Sequence, residues 1–285
     1  MNFHLRKNAI LILKGYIIGS SMSVPGVSGG TMAILLGIYD RLISAISNFH
    51  KDFKSNALYL GKFVAAVGLG IGSLAFVLKW LLDTFTIPVS AFFIGAVVGG
   101  IPALYQKARE EKFSLPSGFF FLFGLVVVIA TGYIPAGNFD FANGAGIDHI
   151  FMILLTGIVI AIALILPGIS TSHMLLVLDM YDDVLLAITD FNIPFLLIIS
   201  VATTVGIFLI TKPIEWTLRK YPHQTYCAII GFVIGSLTAI FRDLLLPAFP
   251  SEATIGWWAG TMLFASATFA LGYWALLSLS KFSNE

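Results

Sequence analysis

Two short stretches of this chain place small polar side chains directly behind a helix-breaking dipeptide. The first is Pro25-Gly26-Val27-Ser28-Gly29-Gly30-Thr31, and the second is Pro167-Gly168-Ile169-Ser170-Thr171-Ser172-His173. Proline removes a backbone donor and disfavours helix in the residue before it, so each dipeptide should end one helix. Ser28 and Ser170 then stand where the N-cap of the next helix belongs. A helix start carries unpaired N–H groups and a positive dipole end, which suits an anion. Gly29 and Gly30 would let a ligand approach the backbone, and Thr171 and Ser172 would supply hydroxyl donors. His173, with Thr31 as its counterpart, could pair with a phosphate or carry a proton. Small residues also pack membrane helices tightly, which is the competing explanation for one such stretch. Two aligned copies favour binding.

A second set of chemical groups follows each stretch: Asp40-Arg41 in the first, Asp179 and Asp182-Asp183 in the second. The aspartate at 40 lies about 14 residues past the tip glycine, roughly 20 Å along a helix at 1.5 Å per residue. Half the hydrocarbon thickness is only about 15 Å, so these groups should sit near an interface. Asp40 and Asp182 are therefore expected to be N-caps of short helices. The functional alternative pairs Arg41 with an anionic head group and gives Asp40, Asp179, Asp182 and Asp183 a part in proton coupling. Lys62 and Glu215 could both fall within spans; Lys62 lies close enough to an end to snorkel, and the alternative for Glu215 is a loop after Pro213. No H-E-x-x-H or Walker pattern occurs, and the five histidines lack ligand spacing. The single Cys227, inside an apolar run, makes neither a disulfide nor a metal site and is expected in the core. The sequence thus points away from an enzyme, a metal or any other cofactor, and from an ATP-driven pump.

The elements that must position these groups are themselves duplicated. Val24–Phe49 aligns without a gap to Leu166–Phe191, Pro25 with Pro167 and Tyr39-Asp40 with Tyr181-Asp182, at an offset of 142 residues. Farther on, Gly70 matches Gly206, Trp80 matches Trp216, and Ile94-Gly95-x-Val97-x-Gly99 matches Ile230-Gly231-x-Val233-x-Gly235, at an offset of 136. The difference falls in the basic loop near His50–Asn56. Chance alignment of apolar segments would match Leu, Ile and Val rather than Pro, Gly, Trp, Tyr and Asp. Two repeats are read, 1–135 and 136–285. The chain is 58% hydrophobic and 11% charged, against roughly 25% charged in ordinary soluble domains. Its long apolar runs read as membrane spans. A net charge of +1 gives no reason to expect nucleic acid. Met1–Leu13 looks like a signal peptide, but it has no A-x-A-like site and its repeat partner lies deep in the chain, so it is expected to be structure.

Each repeat reads as an apolar arm, the Pro-Gly break, a second arm, and three longer helices. The second arms are expected as Ser28–Ile46 and Ser170–Ile188. The longer helices are expected at Asn56–Leu82, Ile87–Tyr105 and Pro116–Ile134, then Ile193–Thr211, Gln224–Phe241 and Ile255–Leu279. If both arms return to the side they left, Arg6, Lys7, Lys51, Lys54, Lys107, Arg109, Lys112, Lys212, Arg219, Lys220 and Lys281 share one face. Asp83, Asp140, Asp148, Asp190, Asp243 and Glu252 lie on the other, with Lys79 and Arg242 at its edges. That distribution obeys the positive-inside rule and puts both termini in the cytoplasm. The expected fold is an all-α polytopic membrane protein of two inverted-topology repeats. Each is a re-entrant helical hairpin plus three transmembrane helices, with one hairpin entering from either face. Irregular backbone at that depth must face protein or a water-filled cavity, so the two tips should face each other or line one.

The stretch Ser21–Asp40, of pattern SxxPGVSGGTMAxxxGxYD, with its second copy at Pro167–Asp182, resembles the PopT family over essentially the whole chain. These are polyprenyl-phosphate transporters of bacteria and archaea. The resemblance implies a multi-pass plasma-membrane protein that returns undecaprenyl phosphate from the outer to the inner leaflet for envelope glycan synthesis. Its partners would be that lipid and the surrounding membrane. The second copy departs from the family pattern at Thr171, at His173 and at Asp179, which stands opposite Gly37. Two rivals remain on the same architecture: a transporter of a small soluble anion, and a membrane-embedded enzyme acting on lipid phosphates.

Overall fold

The computed structural model describes residues 3–24, 27–108, 115–137 and 147–282. Pro25 and Gly26 lie outside the described residues, as do Arg109, Lys112 and Asp140. Among the described residues the structure is helical throughout, with no strand. Helix α1 (Phe3–Ser21) runs to the first break, and α2 (Gly29–Leu35) and α3 (Tyr39–Ser47) lead away from it. Next come α4 (Phe53–Ala108) and α5 (Leu115–Gly132). The second half repeats the order as α6 (Ile147–Ile165), α7 (Thr171–Val177), α8 (Tyr181–Thr189), α9 (Ile193–Lys220) and α10 (Pro222–Ile240). A π-helical turn (Phe241–Leu245), the short α11 (Leu246–Ala248) and α12 (Ile255–Phe282) complete it. Helices α4, α9, α10 with its extension, and α12 have the length and hydropathy to cross a membrane. At 56 residues, α4 would measure about 84 Å at 1.5 Å per residue, far beyond the ~30 Å hydrocarbon thickness. It is interrupted at Phe85 (φ −131°, ψ 48°), between the two helices expected there, and is long enough to cross twice.

The second arms are not the continuous helices expected. Each is a pair, α2–α3 and α7–α8, and the first pair bends by 114°. Gly37 has φ +70° and the aligned Asp179 has φ +57°. In the first break Gly37 N–H donates to Ile34 and Ile38 N–H to Ala33. In the second, Asp179 N–H donates to Leu176 and Met180 N–H to Leu175. Both are Schellman turns with the left-handed residue at the same register. The positions that differ in residue type thus perform one backbone task, glycine at no steric cost and aspartate at some. We expect Asp179→Gly to retain activity and raise stability by about 1 kcal/mol, read from its thermal midpoint. A coupling role for that carboxylate predicts lost activity instead.

This turn also corrects the capping expectation. Ile38 and Met180 are the N-caps of α3 and α8, without a side-chain bond, and Asp40 and Asp182 fall inside the first turn. Glu215 is likewise not in a loop. Helix α9 continues past Pro213 to Lys220, and the Glu215 carboxylate accepts from Asn48 Nδ2 at 2.6 Å and Arg219 Nη2 at 2.7 Å. Cys227 is buried as expected.

Glycines show how the two halves pack. A side chain at Gly15 would meet Ala66 Cβ, and one at Gly157 would meet Ala202 Cβ. These are the same contact in each half, seating α1 on the first part of α4 and α6 on α9. The remaining long helices exchange partners. Gly95 and Gly99 in the second part of α4 lie against the backbone of Phe269 and Tyr273 in α12. Gly231 in α10 lies against that of Phe121 in α5. Each half therefore packs the second of its three long helices against the last helix of the other. The start of α1 and the end of α3 meet the same end of α4, where Lys62 Nζ donates to Asn8 Oδ1 at 3.1 Å and Asn56 Nδ2 to the Asn48 carbonyl at 3.1 Å. Lys62, expected to snorkel, is held by that bond.

Candidate functional site

The two breaks are brought together. Gly30 of the first lies against the last carbonyls of α6, at Leu164, Ile165 and Leu166, where a Cβ would sit 3.3–3.4 Å from each. Tyr39 Oη donates to the Ile165 carbonyl at 3.0 Å, satisfying a group that the end of a helix leaves without an intrahelical partner. Gly168 turns the second break with φ +83° under the Phe232 carbonyl. The expectation that the tips face each other holds for these residues.

Beside that contact lies a cavity of about 580 Å³ lined from both tips. Ser23, Ser28 and Gly29 come from the first; Ser170, Thr171, Ser172 and His173 come from the second. Tyr181, Arg242 and Asp243 complete its polar wall. Ser170 caps α7 by accepting from His173 N–H at 3.3 Å, as its position predicts. Ser28 holds the equivalent N-cap position, yet its side chain makes no cap bond. Among the described residues, Ser23 Oγ, Ser28 Oγ and His173 Nε2 are buried without a hydrogen-bond partner. Leaving such groups unpaired costs about 1–3 kcal/mol each, and their concentration on one cavity marks a place for a polar ligand. Helices α2 and α7 are only seven residues long. Helix-end electrostatics are correspondingly weaker than a long second arm would give, and the side chains carry more of the site.

Arg242 lines this cavity but was not among the ligands expected from sequence, which placed it among charges at the outer edge. It sits on the π-helical turn that interrupts the end of α10, a kind of bulge frequent at functional sites. Its Nε and Nη2 donate to Asp243 at 2.6 and 3.1 Å, Nη1 donates to the Gly132 carbonyl, and its guanidinium lies 5.2 Å from the Tyr133 ring centre. The available signal was an arginine inside the run Ala239–Pro247, since an ionisable group in such a run marks function by default.

Other candidates lie elsewhere. Thr31 is buried, with its hydroxyl unpartnered, but does not line the cavity. Pro167 lines a separate apolar cavity of about 520 Å³ with Phe120, Phe123, Leu166 and Phe232. Asp179, Asp182 and Asp183 are absent from the polar lining, and so is Arg41. Asp40 is engaged instead in a triad spanning the halves. Its Oδ2 accepts from Lys107 Nζ at 2.6 Å and from Tyr226 Oη at 2.6 Å, and Lys107 also reaches Tyr226 Oη at 3.1 Å. By the repeat offsets, the counterparts of Asp40 and Lys107 are Asp182 and Asp243, two carboxylates. The triad has no charge-paired equivalent in the second half. Among the described residues no cluster of His, Cys, Asp or Glu could hold a metal ion.

Long apolar helices, interlaced halves and a shared polar cavity define a multi-pass helical membrane protein. The chain belongs to the VCA0040-like, undecaprenyl phosphate translocase-like family, whose pattern matches residues 18–244. It is 31% identical to a polyprenyl-phosphate transporter of Staphylococcus aureus over 97% of both chains. It is 30% identical to a polyprenyl-phosphate transporter of Vibrio cholerae serotype O1 over 86% of this chain and 79% of that one. No solved structure matches.

Proposed function

We propose that this protein carries undecaprenyl or another polyprenyl phosphate across the cytoplasmic membrane, from the outer to the inner leaflet. The single observation behind this reading is the cluster of unpartnered Ser23, Ser28 and His173 atoms beside Arg242, in one cavity between the two tips. A phosphate offers acceptor oxygens to the serine hydroxyls, the guanidinium and an imidazole N–H, and a charge for which Arg is well shaped. The apolar cavity behind Leu166 and Pro167 takes the first isoprene units. Head and tail then straddle the second tip.

The repeats work as inverted halves, 1–135 and 136–285, with their hairpins entering from opposite faces and both termini cytoplasmic. The exchanged packing of α4 with α12 and of α10 with α5 supports a two-fold relation between them. The return of α1 and α3 to one end of α4 supports a re-entrant first hairpin. In this orientation the polar cavity lies toward the outer side, where Arg242 and Asp243 stand, and the Asp40–Lys107–Tyr226 triad closes the cytoplasmic side. Alternating access then requires the triad to part. Among the four candidate acids we assign coupling to Asp40, because protonating it removes the charge that holds Lys107.

Replacing Ser28, Ser170 or His173 by alanine is expected to slow transport at least tenfold while the purified protein stays folded. Transport is read in proteoliposomes as the appearance of polyprenyl phosphate in the opposite leaflet, by its accessibility to added phosphatase. Undiminished transport in all three variants, or uptake of a soluble anion with no lipid movement, sinks this reading. Release of free phosphate by the protein alone would make it an enzyme.

A further inference from the structure

A second cluster of cations lies apart from the tip cavity. Arg41 on α3, Lys54 and Lys62 on α4, and Asn8 and Leu11 on α1 line a cavity of about 510 Å³, with Asp52, Ser55, Leu58 and Tyr59. It draws on three separate segments, so its shape depends on the tertiary fold. Three cations face one carboxylate, and Asp52 Oδ1 is already turned to the Ser55 N–H at 3.4 Å. Among the described residues none of the three cations has a carboxylate within 4.0 Å, although Lys79, Lys107, Arg219 and Arg242 all do. Lys62 Nζ is oriented by Asn8 and the Arg41 guanidinium by the Tyr59 ring, 5.2 Å to its centre. Like charges gathered in one concavity repel one another, and an anion relieves that repulsion. The walls are mixed: Leu11 is buried, while Leu58 is 59% exposed on the outer surface of α4, a span-length apolar helix. A basic pocket beside an apolar strip at the end of a span fits a charged head group with its chain laid along the helix.

We infer that the Arg41–Lys54–Lys62 pocket binds the phosphate head group of an anionic phospholipid, with the acyl chain running along Leu58. This inference is independent of the assignment of the tip cavity. The site serves as an anchor that fixes the α1–α3 hairpin against the head-group layer. Arg41, a candidate substrate ligand by sequence, belongs to this pocket.

The test uses the full-length protein in phosphatidylcholine nanodiscs, titrated with fluorescent phosphatidylglycerol. Binding above the phosphatidylcholine background is expected, and each of Arg41→Gln, Lys54→Gln and Lys62→Gln should weaken it about fivefold. Lys54 is exposed and near the helix start, so its variant separates lost binding from lost folding. Lys79→Gln, which removes an exposed cation that lines neither cavity, should leave this binding unchanged. Equal binding by the triple variant, or loss on Lys79→Gln, overturns the inference. So does competition by inorganic phosphate as effective as that by unlabelled phosphatidylglycerol, which would assign the pocket to the free anion.

Discussion

Arg242→Ala is expected to bring polyprenyl-phosphate transport to background. Among the described residues lining the tip cavity, Arg242 supplies the one Arg or Lys side chain, and a hydrogen bond to a charged group is worth about 1.5–3 kcal/mol. Loss of a forked pair should cost about 3 kcal/mol, or roughly a hundredfold in affinity. Arg242→Lys keeps the charge and loses the fork, so its activity should fall between the two. Arg242 also binds the Gly132 carbonyl and lies over Tyr133, which could give it a purely structural role. Asp243→Asn separates the explanations. Freeing the guanidinium from its present carboxylate partner should tighten phosphate binding, whereas a structural ion pair predicts damage from either change. Binding of labelled lipid phosphate and thermal midpoints, measured on the same preparations, decide the matter.

The second large effect is expected from Lys107→Ala and, in parallel, Tyr226→Phe. The ion pair of Asp40 with Lys107 is half-exposed and is worth only about 1 kcal/mol or less. The Tyr226 hydroxyl donating to the same carboxylate adds about 1.5–3 kcal/mol. On the proposed alternating access, removing part of this triad should move the balance of the two access states by about 2 kcal/mol, roughly thirtyfold. The chain supplies its own reporter, because the single Cys227 is buried next to Tyr226. Its labelling by a membrane-impermeant maleimide from the cytoplasmic side should accelerate by about that factor. Unchanged labelling with intact folding would mean that the triad is a static contact and does not gate access.

Much of the candidate site was legible because its residues are contiguous. The Pro-Gly-x-Ser stretches announced two breaks, two cap positions and a meeting of tips, and the described residues agree at Ser170, Gly168 and Gly30. What escaped was of two kinds. Gly37 and Asp179 were aligned, but one looked like spacing and the other like chemistry. Only their shared positive φ shows that both serve a backbone turn, and that turn displaced the caps expected at Asp40 and Asp182. The partners of Asp40, by contrast, are 67 and 186 residues away, and no local spacing encodes them. Arg242 was hidden by its neighbourhood: a terminal charge on a span looks like a loop charge until the π-helical turn directs it inward. For Glu215 the sequence left a span and a loop both open, because Pro213 normally ends a helix in water. In a membrane helix the freed backbone groups find other partners, so α9 continues.

The exchanged pairing of long helices sets a schedule for making the protein. Gly95 precedes its neighbour Phe269 by 174 residues, about 9–35 s of synthesis at 5–20 residues per second. During that interval the close-packing face of α4 has no helix to receive it, and neither has α5 until α10 follows. The first half must therefore wait in the bilayer as an unfinished surface, exposed to lipid and to any insertion factor beside it. A nascent chain arrested midway is a half without its complement, so this packing is completed only when α12 arrives.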